Sequence, residues 1–144
     1  MTYQELEIKV REKYKKQSKN KHEWRFMHVK SVEEMVITLI DRFDLPVDIE
    51  KARIAALLHD YAKFDGMSRF QAVVKKYKID SKILREPFNI LHALLGPYII
   101  EDELGYKDDA VFDAIRYHAV GHSHMCPLEE VLFLADFIDS TRTY

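Results

Sequence analysis

Apolar residues in this chain recur at steps of three and four, the spacing that lines one face of an α-helix. Little interrupts that pattern, since only four Gly and four Pro punctuate 144 residues. Thr2 with Glu5 predicts a capping box, followed by Leu6, Val10 and Tyr14 at four-residue steps. A second helix is expected from about Glu23 to Phe43, with His28, Val32, Met35, Val36, Leu39 and Phe43 on one side. Asp48 caps a third, expected to reach about Phe64. Its stretch IAALLHDYA is apolar almost all round and belongs at the centre of a bundle. Further helices are expected after Ser68, over about Ile90 to Leu104, after Asp108-Asp109 and from Pro127. Pro97 should kink or split the one over Ile90 to Leu104 near His92 to Leu95, and Gly105 should end it in a left-handed turn. No segment alternates with period two for long enough to make a convincing strand. The expected fold is all-α, a helical bundle of about six to eight helices with no significant sheet.

The length suits one domain. A charge balance of 22 Lys plus Arg against 24 Asp plus Glu gives a net charge of −2, which argues against nucleic acid as a partner. No apolar run approaches the length of a membrane span, and the first ten residues, MTYQELEIKV, do not resemble a signal peptide. The single cysteine, Cys126, has no partner for an internal disulfide. The expected location is the cytoplasm, with no membrane partner. Seven histidines beside one cysteine mean that any metal is expected on nitrogen and oxygen donors, not thiolates.

The informative residues are polar ones standing where the helical pattern calls for apolar ones. His59 and Asp60 interrupt the most apolar helix, where an ionised carboxylate costs several kcal/mol unless it is paired or binds a metal. Alone, such a pair is equally a buried hydrogen bond without function. His28 in the core stripe of the second helix, His92 in NILHALLG, His118 at the end of an inward face and Asp136 in VLFLADFI change that balance. Gathered in one place, the six make a nitrogen-and-oxygen shell for one or two divalent ions. His28, His59, Asp60 and Asp136 suffice for one ion with positions left for water and substrate. Arg25 precedes His28 by three residues, Lys63 follows His59 by four, and Arg142 follows Asp136 within two turns. Cations beside a metal call for an anion between them, and a phosphate ester or anhydride is the natural one. His122 and His124 fall in a short loop, to be read as an extra ligand or a proton donor to the leaving group, or simply as a solvated loop. Trp24, Phe26 and Met27 are expected to pack, although Trp24 or Phe26 can also contact a nucleobase.

The order His28, His59-Asp60, His92, His118, Asp136 resembles the HD-domain metal-dependent phosphohydrolases. Within them, Arg25-Phe26-Met27-His28, AALLHDYAK (Ala55 to Lys63), ILHA (Ile90 to Ala93), AIRYHAVG (Ala114 to Gly121) and LADFIDSTR (Leu134 to Arg142) resemble the YqeK family, symmetrical bis(5'-nucleosyl)-tetraphosphatases. The resemblance implies one HD domain over 1–144, with a charged N-terminal helix in 1–21 and the metal-site bundle in 22–144. It implies His28, His59, Asp60 and Asp136 as metal ligands. Arg25, Lys63, His92, His118 and Arg142 are implied as phosphate-lining residues, with Asp60, Lys63, His92 and His118 taking part in catalysis. His92 and His118 can instead complete a second metal site. The implied cofactor is a divalent transition metal, iron first, with manganese or cobalt as substitutes, and the implied substrate is diadenosine tetraphosphate, cleaved to two ADP. Deoxynucleotide or guanosine tetraphosphate hydrolysis and a non-hydrolysing nucleotide sensor remain alternatives, and a homodimer is left open. The chain departs from the family pattern at Ala93, Pro97, Ala119-Val120 and Asp139-Ser140, and it stops two residues after Arg142, short of the C-terminal helical segment usual there.

Overall fold

The computed structural model describes residues 1–139. Among them are eight α-helices and a short 3-10 turn, and no strand. The helices are α1 Tyr3–Gln17, α2 His22–Phe43, α3 Ile49–Leu58, α4 Met67–Lys76, α5 Phe88–Leu94, α6 Gly96–Leu104, α7 Asp109–Tyr117 and α8 Pro127–Ile138, with the 3-10 turn at Ser81–Arg85. The all-α expectation holds.

The helices begin and end where local chemistry directs. Thr2 and Glu5 form the capping box at α1, and Asp48 and Asp108 accept backbone N–H bonds from Lys51 and Val111 at the starts of α3 and α7. Gly105, at φ 68°, closes α6 in the left-handed region. The chain breaks between α5 and α6 at Leu95, because Pro97 has no N–H to give to a continuing helix.

Helix α3 is the hub. Ala52, Ala55, Ala56, Leu57 and Leu58 are fully buried, and α3 packs against α2, α7, α1 and α8. Each fully buried leucine contributes about 1.5–3 kcal/mol. The helix stops at Leu58, six residues short of the expected Phe64. Beyond it, the N–H groups of Tyr61, Lys63 and Asp65 bond back to the carbonyls of Leu58, Asp60 and Ala62, so the chain runs on as tight three-residue turns. Helix α1 clamps this turn segment. Lys13 Nζ lies 2.7 Å from Asp65 Oδ2, 3.2 Å from Glu103 Oε1 and 4.0 Å above the Tyr61 ring, and the Tyr61 hydroxyl donates to Glu103 Oε1 at 2.8 Å. Phe43, expected inward, is the last residue of α2 and overhangs the end of the bundle, 64% exposed.

Tyr14 is fully buried, edge-on to Phe64, and its hydroxyl has no hydrogen-bond partner among the described residues. Burial, with the nearby Asp60 charge, raises its pKa well above the usual value, so it is a neutral phenol. Removing an unsatisfied buried hydroxyl removes a desolvation cost. Tyr14→Phe is therefore expected to leave the thermal unfolding midpoint unchanged or to raise it. Leu57→Ala is expected to lose about 2–5 kcal/mol in the same denaturation series. A clear loss of stability in Tyr14→Phe would show that the hydroxyl is hydrogen-bonded after all.

Candidate metal centre

Two of the histidines owe their orientation to where helices end. His59 and His118 are the C-cap residues of α3 and α7. Each turns its ring back on its own helix, with Nδ1 2.6 Å from the carbonyl oxygen three residues earlier, Ala56 for His59 and Ile115 for His118. A carbonyl only accepts, so Nδ1 carries a proton, and Nε2 is the ring nitrogen left to face the site. His28 reaches the same state from the side of α2. Its Nδ1 donates to Asp139 Oδ2 at 2.9 Å, and Asp139 also accepts from the Ser31 hydroxyl. A carboxylate behind a histidine is the usual outer support of a metal-ligating imidazole.

The three Nε2 atoms converge on the carboxylates. His28 Nε2 lies 3.1 Å from Asp136 Oδ1 and 3.6 Å from Asp60 Oδ2. His59 Nε2 lies 3.5 Å from Asp60 Oδ2 and 3.6 Å from Asp136 Oδ1. The other oxygen of Asp60, Oδ1, faces His92 Nε2 at 3.2 Å and His118 Nε2 at 3.6 Å. Asp60 thus stands between two pairs of imidazoles. His28, His59, Asp60, His92 and His118 are buried, and Asp136 is half-buried. Donor atoms of His28, His59 and Asp60, of His59, His118 and Asp136, and of Asp60, His92 and His118 lie within 4.8 Å of one another in each trio.

Electrostatics follows from this crowding. Burial disfavours an ionised Asp60, but His59, His118 and His92 outweigh it and hold the carboxyl well below its usual range. Asp136 is likewise depressed, burial being overcome by His28 and His59. Burial disfavours charging His59, yet Asp60 and Asp136 push it up to about 9. For His92, burial prevails over Asp60 and the pKa falls.

The donor set fits a divalent ion. Among the described residues His59 Nε2 is buried without a hydrogen-bond partner, 3.5 Å from Asp60 Oδ2 and 3.6 Å from Asp136 Oδ1, while its other nitrogen is taken by Ala56. A buried imidazole nitrogen aimed at two ionised carboxylates is the arrangement a cation completes. Imidazole and carboxylate donors suit a first-row transition metal.

A cleft of about 390 Å³ opens onto these groups, lined among others by Trp24, Arg25, Lys63, His92, His118 and Asp136. Arg25 reaches across it, its Nη1 2.6 Å from Asp60 Oδ2. Lys63 is half-buried and forms no ion pair with any described residue. So the structure brings together Arg25, His28, His59, Asp60, Lys63, His92, His118 and Asp136, while Arg142 lies outside the described residues. His122 and His124 are exposed, and His122 pairs with Glu129 at 2.5 Å, not with the cleft. Two residues take a larger part in the site than the sequence pattern indicates. Asp139 is 2% exposed and supports His28; its signal was a second acid three residues after Asp136. Trp24, expected to pack, is 43% exposed. It lines the cleft and stacks on His28, with ring centroids 5.4 Å apart and planes within 2°.

An all-α bundle with histidine and aspartate donors gathered from five segments is the build of a metal-dependent HD domain. The HD domain family model matches residues 15–141, and the chain belongs to that family. The symmetrical bis(5'-nucleosyl)-tetraphosphatase of Bacillus subtilis (strain 168) is 36% identical over 122 residues, 85% of this chain and 64% of that protein. Its counterpart in Staphylococcus aureus (strain NCTC 8325 / PS 47) is 35% identical over 133 residues, 92% of this chain and 68% of that protein. That of Halalkalibacterium halodurans is 35% identical over 122 residues, again 85% of this chain and 64% of that protein. The chain therefore spans about two thirds of the length of these curated relatives, from 64% to 68%. A crystal structure described as a predicted HD superfamily hydrolase involved in NAD metabolism, from Clostridium acetobutylicum, superposes with a TM-score of 0.83 at 25% identity. The match covers all of this chain and 72% of that one.

Trp24, the one tryptophan of the chain, offers a way to read metal loading without turnover. Titrating manganese or cobalt into metal-free protein is expected to quench its fluorescence through the stacked His28 ring. Asp139→Ala is expected to shift that titration to about 10–100-fold higher metal. An unshifted curve would show that Asp139 does not support a ligand.

Proposed function

We propose that this chain is a metal-dependent hydrolase of nucleotide phosphoanhydrides, and that its substrate is diadenosine tetraphosphate, cleaved symmetrically to two ADP. The observation that carries the reading is the cleft lined by Asp60, Asp136, Arg25 and Lys63, with His28 and His59 buried directly behind the two carboxylates. Metal donors and cations in one cleft are reconciled by a polyanion between them. The substrate comes from the relatives, which are named symmetrical bis(5'-nucleosyl)-tetraphosphatases.

A divalent ion on His28, His59, Asp60 and Asp136, with iron first in order of test, would supply Lewis acidity: a lower pKa for water and a polarised phosphoryl oxygen. The remaining work falls to side chains. Asp60, held ionised, orients the attacking water through Oδ1, and the proton that water loses passes to solvent. Water adds to one of the two central phosphorus atoms, the anhydride oxygen between them leaves, and each half departs as a nucleoside diphosphate. Lys63 and Arg25 offset the charge that builds on the phosphoryl oxygens, and Arg142 is proposed for the same role. His92 and His118, whose Nε2 atoms face Asp60 Oδ1, line the cleft beside the proposed phosphate path, and the departing diphosphate leaves as an anion.

One observation favours a second arrangement of the same site. The two oxygens of Asp60 face different imidazole pairs, so His92 and His118 with Asp60 Oδ1 can hold a second ion. Metal content per chain separates the two arrangements.

Purified protein supplied with iron, manganese or cobalt is expected to convert diadenosine tetraphosphate to ADP as sole product, read by chromatography. Turnover confined to deoxynucleotides or guanosine tetraphosphate would overturn the substrate, and binding without turnover would mark a sensor. Asp60→Ala is expected to abolish turnover with the helical circular-dichroism signal retained. Lys63→Ala is expected to keep the metal content and lose about 10²–10³-fold in kcat. A Lys63 variant with full activity would remove that lysine from the chemistry.

A further inference from the structure

The aromatic side chain beside the proposed phosphate grip is exposed at the wall of a polar cleft, and packing does not explain it. Trp24 lies one residue before Arg25 and one helical turn before His28 on α2. It is 43% exposed and lines the cleft. Its ring lies parallel to the buried His28 imidazole, and the Arg25 guanidinium carbon sits 4.8 Å from its centroid. Two buried or half-buried groups of the site therefore hold this indole in a fixed plane, while part of its surface stays open to solvent. Phe133 and Phe137 of α8 line the same cleft. The cleft thus combines cations and acids with aromatic surface that neither a metal nor a phosphate uses.

A rigid, partly exposed aromatic ring next to a phosphate-binding cation is a stacking surface for a planar base. We infer that Trp24 is the platform for the nucleobase, which stacks on the indole while the attached phosphates pass Arg25 toward the metal donors. The cleft-lining groups then follow the order of a nucleotide: base at Trp24, phosphate at Arg25, reacting phosphoryl group near Asp60 and Asp136. Base recognition by stacking is tolerant of base identity, because every base offers a π face. The platform selects a nucleotide over a bare polyphosphate and favours large purines over pyrimidines through contact area. This inference rests on the nucleotide reading above, and it adds the residue that tells a nucleotide from an inorganic phosphate chain.

The test is a comparison of ADP, CDP and inorganic pyrophosphate binding by titration calorimetry on metal-loaded protein. Pyrophosphate shares the phosphates and lacks the base. Wild type is expected to bind ADP more tightly than CDP, and CDP more tightly than pyrophosphate. Trp24→Ala is expected to weaken ADP by about 5–150-fold, the range for one lost base stack, and to leave pyrophosphate unchanged. Trp24→Phe is expected to recover most of the ADP affinity. Equal binding of ADP and pyrophosphate to wild type would overturn the platform. Equal weakening of both ligands in Trp24→Ala would also overturn it, because the indole would then act only by holding His28. Metal content of each variant identifies that case directly. The outcome is separable from the hydrolase reading. Base-dependent ADP binding without tetraphosphate turnover would sink the activity and keep the platform, and turnover with no preference for ADP would do the reverse.

Discussion

A carboxylate buried at the centre of a helical bundle has to be answered by positive charge or hydrogen bonds, and Asp60 organises this molecule around that requirement. Isolated in an apolar interior, its charge costs several kcal/mol. Around its two oxygens stand Arg25 and His28 from α2, His59 from the end of α3, His92 from α5 and His118 from the end of α7. Asp136 on α8 shares His28 and His59 with it. Helices α2, α7 and α8 pack on α3, α5 packs on α7, and the turn that follows α3 delivers Asp60. Packing and site are therefore one arrangement. A bundle that moved α2, α7 or α8 away from α3 would also strip a partner from the central pair of carboxylates.

The parts of this structure legible in the sequence are those encoded by local pattern. Helix starts at Thr2, Asp48, Asp108 and Pro127 and the break before Pro97 need only neighbours along the chain. The six polar residues out of place in apolar stripes also stood out, because burial without a partner is costly wherever the chain folds. What escaped depends on contacts between distant segments or on the ends of helices. IAALLHDYA keeps a helical period through His59, yet the ring of His59 takes the Ala56 carbonyl and the helix stops at Leu58. Asp139 falls after α8, where periodicity no longer places a side chain, and its meaning lies 111 residues away at His28. Of Trp24, Phe26 and Met27, all expected to pack, only Phe26 packs against the core, and Trp24 and Met27 are exposed, because helical spacing alone does not tell which face of this turn meets a neighbour.

The site divides labour between rigid and adjustable groups. The imidazoles are tied by second bonds: His28 to Asp139, His59 to Ala56 and His118 to Ile115. The cations differ. Arg25 is tied to Asp60 at 2.6 Å, and Lys63 stands half-buried without an ion pair among the described residues. An anion in the cleft can draw Lys63 toward itself while the imidazoles stay in place. Fixed donors beside an uncommitted cation suit a cleft that takes up an anionic ligand.

Because His59 and His118 stand where α3 and α7 terminate, the stopping point of each helix sets the direction of its donor atom. An α-helix turns by about 100° per residue. An insertion or deletion absorbed at the C-terminal end of either helix would swing the imidazole away from Asp60 and free the Ala56 or Ile115 carbonyl at the same time. At their N-terminal ends, where Asp48 and Asp108 cap them, a change of length leaves the direction of the imidazole at the far end intact. In α3 and α7 the exit side is therefore the more constrained end.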